Sequence, residues 1–472
     1  MAITRRQFIT RTGLAAAGSF LGPSFLRTPW LQQALASTIG DRYFIVAFLD
    51  GGNDGLNTVT PADNGSGTLR DDYEAARNTG AGGLQLPTSG QGALLIPARP
   101  FSDPNTGAQL GLHPGLQGIS TLYDLGKVAV IQGCGYPDYS LSHDTSRSAW
   151  QTSNPLAAAG YAGGWMGRYL AANYVGTDIP AVNIRGGVSG EFIQTTTSVL
   201  AITRLASFKF PYDNFDHADD AAKKSAFLTL CSQATGSPQP TFSYVGATGT
   251  ATETATESYP ALNSAYVNRP GGWDQAYSDL GTGFASNLRE VAKVIYGVST
   301  GAPNVNTRFF ELRNGGYDTH SDQGAGTPGD QQYELHKEVG DALELFYNDC
   351  VDMGVHNKVC LVTWSEFSRR VQQNDNGTDH GSQGPLFVIG GTVHGGVYGA
   401  HPNINSAALN NDGNTPYSQT AGAGYRSTDF RDVFGTILNK WLGMANPLTI
   451  LPKDSGSSSN YWTAPNFNMG FL

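Results

Sequence analysis

The chain has 472 residues, of which 60 are glycine, 24 are proline and 14% are charged, and its formal net charge is −10. This length allows a large core, and the glycine and proline content indicates a loop-rich globular protein. The acidic balance excludes nucleic acid and anionic membrane surfaces as expected partners, because both carry negative charge themselves.

The first 36 residues have the features of an export signal. Arg5 and Arg6 form a twin-arginine pair, an uncharged stretch follows at 13–26, and small residues flank Leu35 at the end. This order is typical of a twin-arginine signal peptide that is cleaved after residue 36. Glycine and proline interrupt the stretch, and it is too short to span the hydrocarbon core of a membrane. We therefore predict export by the twin-arginine translocase to a bacterial periplasm, cell envelope or exterior, with no membrane span after cleavage.

Short apolar runs in the rest of the chain predict buried β-strands, each followed by a polar or glycine-containing loop. These runs are 43–49, 127–133, 308–312, 359–364 and 385–389. Between the third and fourth runs, residues 331–353 carry apolar side chains at three- and four-residue steps, which predicts a helix with one buried face. Alternating strands and helices are typical of βαβ units. We predict an α/β fold with a mainly parallel sheet and helices on both faces.

Residues 41–472 are predicted to form a single domain with one unusual region. Ser, Thr, Gly and Pro dominate residues 231–261, which include the stretch ATGTATETATES at 247–258. This composition predicts a polar, low-complexity insertion that forms a solvated loop.

The four cysteines are widely spaced and contain no CxxC motif, which argues against a zinc ribbon or a redox motif. They are Cys134, Cys231, Cys350 and Cys360. Disulfides in an oxidising compartment and buried, unpaired thiols remain alternatives.

Acidic residues surround a glycine-rich turn after the first predicted strand. Asp50 is the first and Asp54 the fifth residue of the sequence Asp-Gly-Gly-Asn-Asp-Gly. At the carboxyl end of a parallel strand, such carboxylates can converge on a cation. The same residues also form ordinary turns, so that both interpretations stay open.

Ser142 and His143 open a predicted helix after the second strand. A hydroxyl at a helix N-terminus can act as a nucleophile, because free backbone N–H groups can hold the anionic group that is transferred. A capping serine beside a surface histidine is the alternative.

Two further glycine-bounded loops combine carboxylates with imidazoles. Asp318 and His320 lie in one loop, and Asp379 and His380 lie in the other. Divalent metals such as zinc or manganese take mixed ligands of this kind. Both loops adjoin predicted strands, as Asp50 does, and this common placement predicts a shared metal site.

Eight segments carry a resemblance to a known family. They are FLDGGNDGLNTV (48–59), the histidine of GLHPGL (His113), SHDTSRSAWQT (142–152), GGWMGRYL (163–170), GGYDTHSDQ (315–323), TWSEFSRRV (363–371), GTDHGSQGPLFVIGG (377–391) and STDFRDVFGTIL (427–438). On these segments, residues 43 to about 443 resemble the twin-arginine-exported family called domain of unknown function 1501, which is grouped with the alkaline phosphatase and sulfatase superfamily. The resemblance implies an alkaline phosphatase-like fold and bound divalent metal ions, and it leaves the reaction undefined.

Enzymes of that superfamily use, in chain order, an Asp after the first strand, a hydroxyl nucleophile at a helix start, an Asp and His pair, an Asp-His dipeptide and a final His. Asp50, Ser142 and the pair Asp318 and His320 match the first three, although only one residue separates the Asp from the His. The resemblance therefore implies Ser142 as the nucleophile.

The dipeptide has two possible alignments. Asp379-His380 matches it by letters, and His394 then supplies the final histidine. In the second alignment, which keeps the strand order and which we prefer, Ser365-Glu366 replaces the dipeptide and His380 is the final histidine.

The second alignment implies two different metal sites. One metal would be held by Asp318, His320 and His380. The other would have only the oxygen ligands of Asp50, Glu366 and Ser142 and no imidazole. Such a site favours a harder ion such as manganese, magnesium or calcium, and an empty second site is the alternative.

The leading hypothesis is an exported metal-dependent hydrolase that acts on a small phosphate or sulfate ester. Ser142, activated by a bound metal and flanked by His143, would attack the ester, and Arg147 or Arg369 would bind its anionic group. The alternative is a metal-binding scaffold or envelope protein that keeps the fold without turnover, which the altered dipeptide and the short Asp-x-His spacing permit. A carbohydrate-binding surface protein is a third hypothesis, suggested by 21 tyrosines and 7 tryptophans.

Overall fold

The computed structural model describes residues 40–156, 161–174, 179–184, 186–193, 198–209, 219–237, 239–302, 305–405, 426–455 and 461–472. The predicted signal peptide, residues 1–36, lies outside these residues. Within the described ranges, no helix has both the length and the apolar character needed to cross a membrane.

A large sheet lies at the centre of the molecule, with nine strands among the described residues, and a small antiparallel pair, β2 and β3, stands apart from it. The strands are β1 (Tyr43–Asp50), β2 (Val59–Pro61), β3 (Leu110–Leu112), β4 (Val128–Gly135), β5 (Ala181–Ile184), β6 (Val199–Ile202), β7 (Phe309–Gly315), β8 (Val359–Trp364), β9 (Gly384–Gly390), β10 (Gly396–Tyr398) and β11 (Thr428–Asp429). The order in the large sheet is β10-β4-β9-β8-β1-β7-β5-β6, and β11 also pairs with β4.

Strand β9 is the exception in an otherwise parallel sheet. It runs antiparallel to both neighbours, β4 and β8, whereas the other recorded pairings of this sheet are parallel. A parallel return requires a long crossover, usually through a helix, and the described link between β8 and β9 contains no helix. The start of β9 therefore lies at the same edge as the carboxyl ends of its neighbours.

Helices cover both faces of the sheet. They are α1 (Gly55–Thr58), α2 (Leu69–Ala76), α3 (Gln117–Asp124), α4 (His143–Thr152), α5 (Trp165–Asn173), α6 (Asp220–Thr235), α7 (Pro240–Val267), α8 (Trp273–Leu280), α9 (Gly283–Ser299), α10 (Gln331–Asp352) and α11 (Phe430–Thr436). One buried cluster joins alternate residues of β1 to α3, α9 and α10, and a second joins the remaining residues of β1 to α4, α5 and α11. A strand covered on both sides is apolar throughout, which explains the continuous runs in the sequence. The predicted α/β fold is confirmed.

The region 231–261 differs from the predicted loop, because most of it belongs to helices α6 and α7. Alanine, leucine and tyrosine side chains at three- and four-residue steps form a buried stripe on α7: Ala251, Ala255, Tyr259, Leu262 and Tyr266. Threonines between them turn their hydroxyls back onto the helix, as Thr250 Oγ1 does when it donates to the Gly246 carbonyl at 3.0 Å. The threonine-rich composition hid this helical periodicity.

The four cysteines are buried and unpaired. Burial raises the pKa of the Cys134, Cys350 and Cys360 thiols well above neutral pH, so that they stay protonated and unreactive. This agrees with their interpretation as core residues.

Candidate metal centre

Loops from five strands meet at one edge of the sheet. The parallel strands β1, β4, β7 and β8 end there, and the antiparallel strand β9 begins there. The functional candidates on these loops are Asp50 at the end of β1, Ser142 and His143 after β4, Asp318 and His320 after β7, Glu366 after β8, and Asp379 and His380 before β9. The common edge that the sequence predicted is therefore present.

Three imidazoles converge on the carboxylate of Asp318. His380 Nε2 lies 3.1 Å from Asp318 Oδ1 and His320 Nε2 lies 3.2 Å from the same oxygen. His143 Nε2 lies 3.5 Å from Asp318 Oδ2. The Nε2 atoms of His320 and His380 are themselves only 3.0 Å apart. These four side chains form the centre of the site.

The opposite nitrogen of each ring faces a hydrogen-bond acceptor. The Nδ1 pairs are His143 with Glu366 Oε1 at 2.8 Å, His320 with Asp379 Oδ1 at 3.0 Å, and His380 with the Leu141 carbonyl at 2.7 Å. Carboxylates and carbonyls only accept, so each Nδ1 is placed to donate a hydrogen bond, and each Nε2 on the side of Asp318 is placed to bind a metal. Burial lowers the pKa of His380, which keeps that ring neutral at neutral pH.

This arrangement fits a divalent cation. The Nε2 atoms of His320 and His380 lie 3.0 Å apart and both face the Asp318 carboxylate, so that one cation could contact all three groups. Ligand atoms of His143, Asp318 and His380 all lie within 4.8 Å of one another. Imidazole nitrogens with one carboxylate, each ring held by a second acceptor, form a donor set that suits zinc or a similar transition metal.

Glu366, predicted as a metal ligand, contacts His143 and the turn after β1. Its buried carboxylate binds His143 Nδ1 and accepts hydrogen bonds from the backbone N–H groups of Gly51 and Gly52 at 3.1–3.2 Å. Gly51 has a φ of 123°, and a side chain there would lie 2.4 Å from the backbone nitrogen of Asp318. Glycine at this position therefore allows the loops after β1 and β7 to approach each other.

Replacement of Glu366 by glutamine is expected to weaken metal binding about 10- to 100-fold, because the His143 ring loses a charged acceptor that orients it. A competition titration with a chromophoric chelator measures this change. Glu344→Gln, on α10, is the matched control and should leave the metal affinity unchanged. Equal metal affinities for Glu366→Gln and the parent protein would contradict the orienting role.

Asp50 has arginine partners in place of the predicted metal. Its Oδ1 lies 2.9 Å from Arg147 Nη2, and its Oδ2 forms an ion pair with Arg313. Both carboxylate oxygens are therefore engaged by guanidinium groups. The oxygen-rich second metal site that the sequence suggested from Asp50, Glu366 and Ser142 is not assembled among the described contacts.

Arg369 lies beneath the site and is fully buried, which disfavours the predicted contact with a substrate anion. Its guanidinium donates to the carbonyls of Gly51, Gly52, Tyr317 and Thr378 and to Asp318 Oδ1. Burial raises the pKa of Asp318, but the hydrogen bonds from Arg369 and His380 outweigh this effect and bring the pKa to about 2. Arg369 thus positions an ionised Asp318 and joins the loops around it.

Ser142 occupies the N-cap position of α4, directly before His143, as the sequence predicted. The side chain is exposed and makes no capping hydrogen bond, while its backbone N–H donates to Ser140 Oγ at 3.1 Å. The hydroxyl is therefore accessible, on the residue directly before His143.

The two candidates for the final histidine lie in different surroundings. His380 belongs to the cluster, whereas His394 binds the Gly470 carbonyl through Nδ1 at 3.1 Å. Asp379 contacts the cluster through His320 Nδ1. The sequence placed His143 beside the nucleophile and not among the candidate metal ligands, whereas the structure groups it with Asp318 and His380.

Fold and site together define an α/β protein with a candidate metal centre at the carboxyl edge of a mainly parallel sheet. The family described as "Protein of unknown function (DUF1501)" matches residues 101–442. The chain therefore belongs to the DUF1501 family. No curated protein sequence matches it.

Two solved structures align with the chain at low similarity. One is a variant of the alkaline phosphatase PafA, with 8% identity, 70% of this chain covered and a TM-score of 0.30. The alignment spans 64% of the PafA chain, which is less than two thirds of its length. The other is the lipoteichoic acid synthase LtaP from Listeria monocytogenes, with 9% identity, 78% and 73% of the two chains covered and a TM-score of 0.26. At these scores, neither alignment carries an argument about function.

Proposed function

We propose that the protein is an exported metal-dependent hydrolase of phosphate or sulfate esters. The observation that supports this proposal most directly is the convergence of three histidine Nε2 atoms on Asp318, beside the accessible hydroxyl of Ser142. The predicted signal peptide at 1–36 supports the extracytoplasmic location.

Each group at the edge has a role in this proposal. Asp318, His143, His320 and His380 hold the metal, which when bound supplies Lewis-acid stabilisation of developing negative charge. Ser142 attacks the ester, and the free N–H groups in the first turn of α4 hold the anionic group. Glu366 and Asp379 keep two of the imidazoles in the tautomer that binds the metal.

A metal-binding scaffold without turnover is the second candidate. The observation that favours it is the engagement of both Asp50 oxygens by arginines, because this leaves no second metal site among the described residues. A single metal can still polarise an ester. The hydrolase and the scaffold are therefore both expected to bind metal, and only the hydrolase is expected to turn over an ester.

Ser142→Ala separates the two candidates. The purified protein is analysed for bound metals and assayed with phosphomonoesters, phosphodiesters and aryl sulfates. The hydrolase proposal expects metal-dependent turnover that falls at least about 100-fold in Ser142→Ala, because the nucleophile is absent. Ser148→Ala removes an exposed hydroxyl from the same helix and should retain turnover. If the protein binds metal but hydrolyses none of these esters, the result would contradict the hydrolase proposal and support the scaffold.

A further inference from the structure

A polar row lies on the α4 face of the sheet, next to the metal centre. Glu311 on β7 is in register with Asn183 on β5 and with Val46 on β1. Arg313, two residues later, is in register with Phe48. Residues two apart on a strand share one face, so that Glu311 and Arg313 belong to the same row.

Arg147 and Arg313 form a pair at the outer end of this row. Asp50 binds both guanidinium groups, which also lie over the ring of Phe48, 5.6 Å and 5.9 Å from its centroid. Asp144 also lies 3.6 Å from Arg147 Nη1, but its side chain is 94% exposed, so that solvent screens this pair. Asp50 is therefore the one buried carboxylate between two guanidinium groups, which leaves one net positive charge at the pair. Arg147 Nε is buried without a hydrogen-bond partner among the described residues, and the Arg313 side chain is 54% exposed. The pair therefore has both charge and donors left for an anion.

The arginine pair borders the metal centre. Arg147 follows His143 by four residues on α4, which places the two side chains on the same face of the helix, one turn apart. An anionic group on Arg147 thus lies beside the imidazole that faces Asp318.

Two carboxyl groups are buried at the inner end of the row. Glu191 and Glu311 are only 2% and 4% exposed. Glu311 accepts a hydrogen bond from Asn183 Nδ2, and Glu191 accepts one from Ser189 Oγ. The Ser189 N–H donates to Asn183 Oδ1 at 2.7 Å, which connects the two carboxyl groups through one network.

Burial is the main reason why this pair retains a proton. It raises the pKa of Glu191 to about 7 and that of Glu311 well above the usual range of a carboxyl group. The charged groups around Glu311 act in both directions, since Glu191 and Asp50 favour its protonated form and Arg313 favours its ionised form. Rising pH therefore adds negative charge behind Arg313.

We propose that Arg147 and Arg313 bind a tetrahedral dianion of the phosphate or sulfate type, and that Glu191 and Glu311 regulate this binding by holding or releasing a proton behind Arg313. The inference rests on the proposed function, because the dianion corresponds to the anionic group of the same ester. With both glutamates neutral, the five groups Arg147, Arg313, Asp50, Glu191 and Glu311 together carry one net positive charge. With both ionised, the same five groups carry one net negative charge, which disfavours anion binding.

Sulfate is the probe, because it remains a dianion from pH 6 to 9. Calorimetric titration uses the full chain as purified, with a parallel titration after chelation to identify sulfate bound to metal. We expect the sulfate affinity of the parent protein to fall about fivefold or more between pH 6 and pH 8.5. Glu311→Gln should reduce this fall, because the side chain nearest Arg313 stays neutral while Glu191 still titrates. Arg313→Ala should weaken binding about tenfold or more at every pH.

Glu257→Gln, an exposed change on α7, is the matched control and should keep the pH dependence of the parent protein. If Glu311→Gln fails to fold, Glu191→Gln neutralises the other half of the pair and provides the same test. An unchanged pH dependence in the folded glutamine variant, or unchanged sulfate affinity in Arg313→Ala, would overturn the inference. These outcomes are independent of turnover. If sulfate binds as expected but no ester is hydrolysed, only the hydrolase proposal is wrong. If hydrolysis depends on Ser142 but Arg313→Ala leaves sulfate binding unchanged, only this inference is wrong.

Discussion

Asp318→Asn is expected to lower the affinity for divalent metal by more than about 100-fold, because loss of a supporting residue alone costs 10- to 100-fold. Asp318 is the carboxylate on which the Nε2 atoms of His143, His320 and His380 converge. Asparagine keeps the shape and an oxygen for Arg369 but removes the negative charge. Without that charge, the remaining candidate ligands are imidazoles above the buried guanidinium of Arg369, which repels a cation.

Elemental analysis and a metal titration against a competing chelator measure the effect of this substitution. Asp322→Asn is the matched control, since it lies in the same loop and its side chain contacts Asn376 rather than the histidines. Metal content should be retained in Asp322→Asn and lost in Asp318→Asn. Full metal occupancy in a folded Asp318→Asn protein would show that the metal is bound elsewhere.

Asp54→Asn is expected to lower the free energy of unfolding by about 3–5 kcal/mol, the usual cost of leaving a buried charge without its partner. Arg77 binds both oxygens of Asp54, at 2.8 Å and 3.1 Å, and the two side chains are 0% and 1% exposed. Arg77 also donates to the carbonyls of Arg370 and Val371, so that the pair joins the turn after β1 to the segment after β8. Loss of the pair should therefore loosen the support of the metal centre.

Denaturant unfolding monitored by fluorescence provides the measurement, and Glu74→Gln provides the comparison. Glu74 pairs with Arg70 one helical turn away, and its side chain is 44% exposed. The Arg70 side chain is buried, but the half-exposed Glu74 carboxylate stays in contact with water, so that we expect the pair to contribute less than about 1 kcal/mol. Similar unfolding midpoints for Asp54→Asn and Glu74→Gln would mean that the fully buried pair contributes no more than this half-exposed pair.

The two aspartates of the turn after β1 show what a local sequence pattern can predict and what it cannot. The turn interpretation is correct for Asp54, which caps α1 by accepting from the Leu56 N–H at 3.2 Å and binds Arg77. Asp50 lies at the predicted edge but binds two arginines from α4 and β7. Its role depends on which side chains other elements bring to that edge, and no local pattern contains this information.

The histidines show the same division. The segments with Asp318, His320 and His380 were assigned to one site because each adjoins a strand, and the structure brings them together. His143 joins them because α4 begins at the same edge, and Glu366 turns to support it instead of facing the centre. Both outcomes follow from side-chain packing between segments more than 200 residues apart.

The sequence by itself determined the buried strands β1, β4, β7, β8 and β9 and the helix α10, because burial on both faces and helical periodicity leave a local pattern. It also located the loops that carry the carboxylates and imidazoles. The tertiary structure alone decided the strand order, the reversed direction of β9, the helical state of 240–267 and the partners of each ionisable group. These depend on contacts between distant segments, since the charge or lone pair that each side chain meets is set by its neighbours in space.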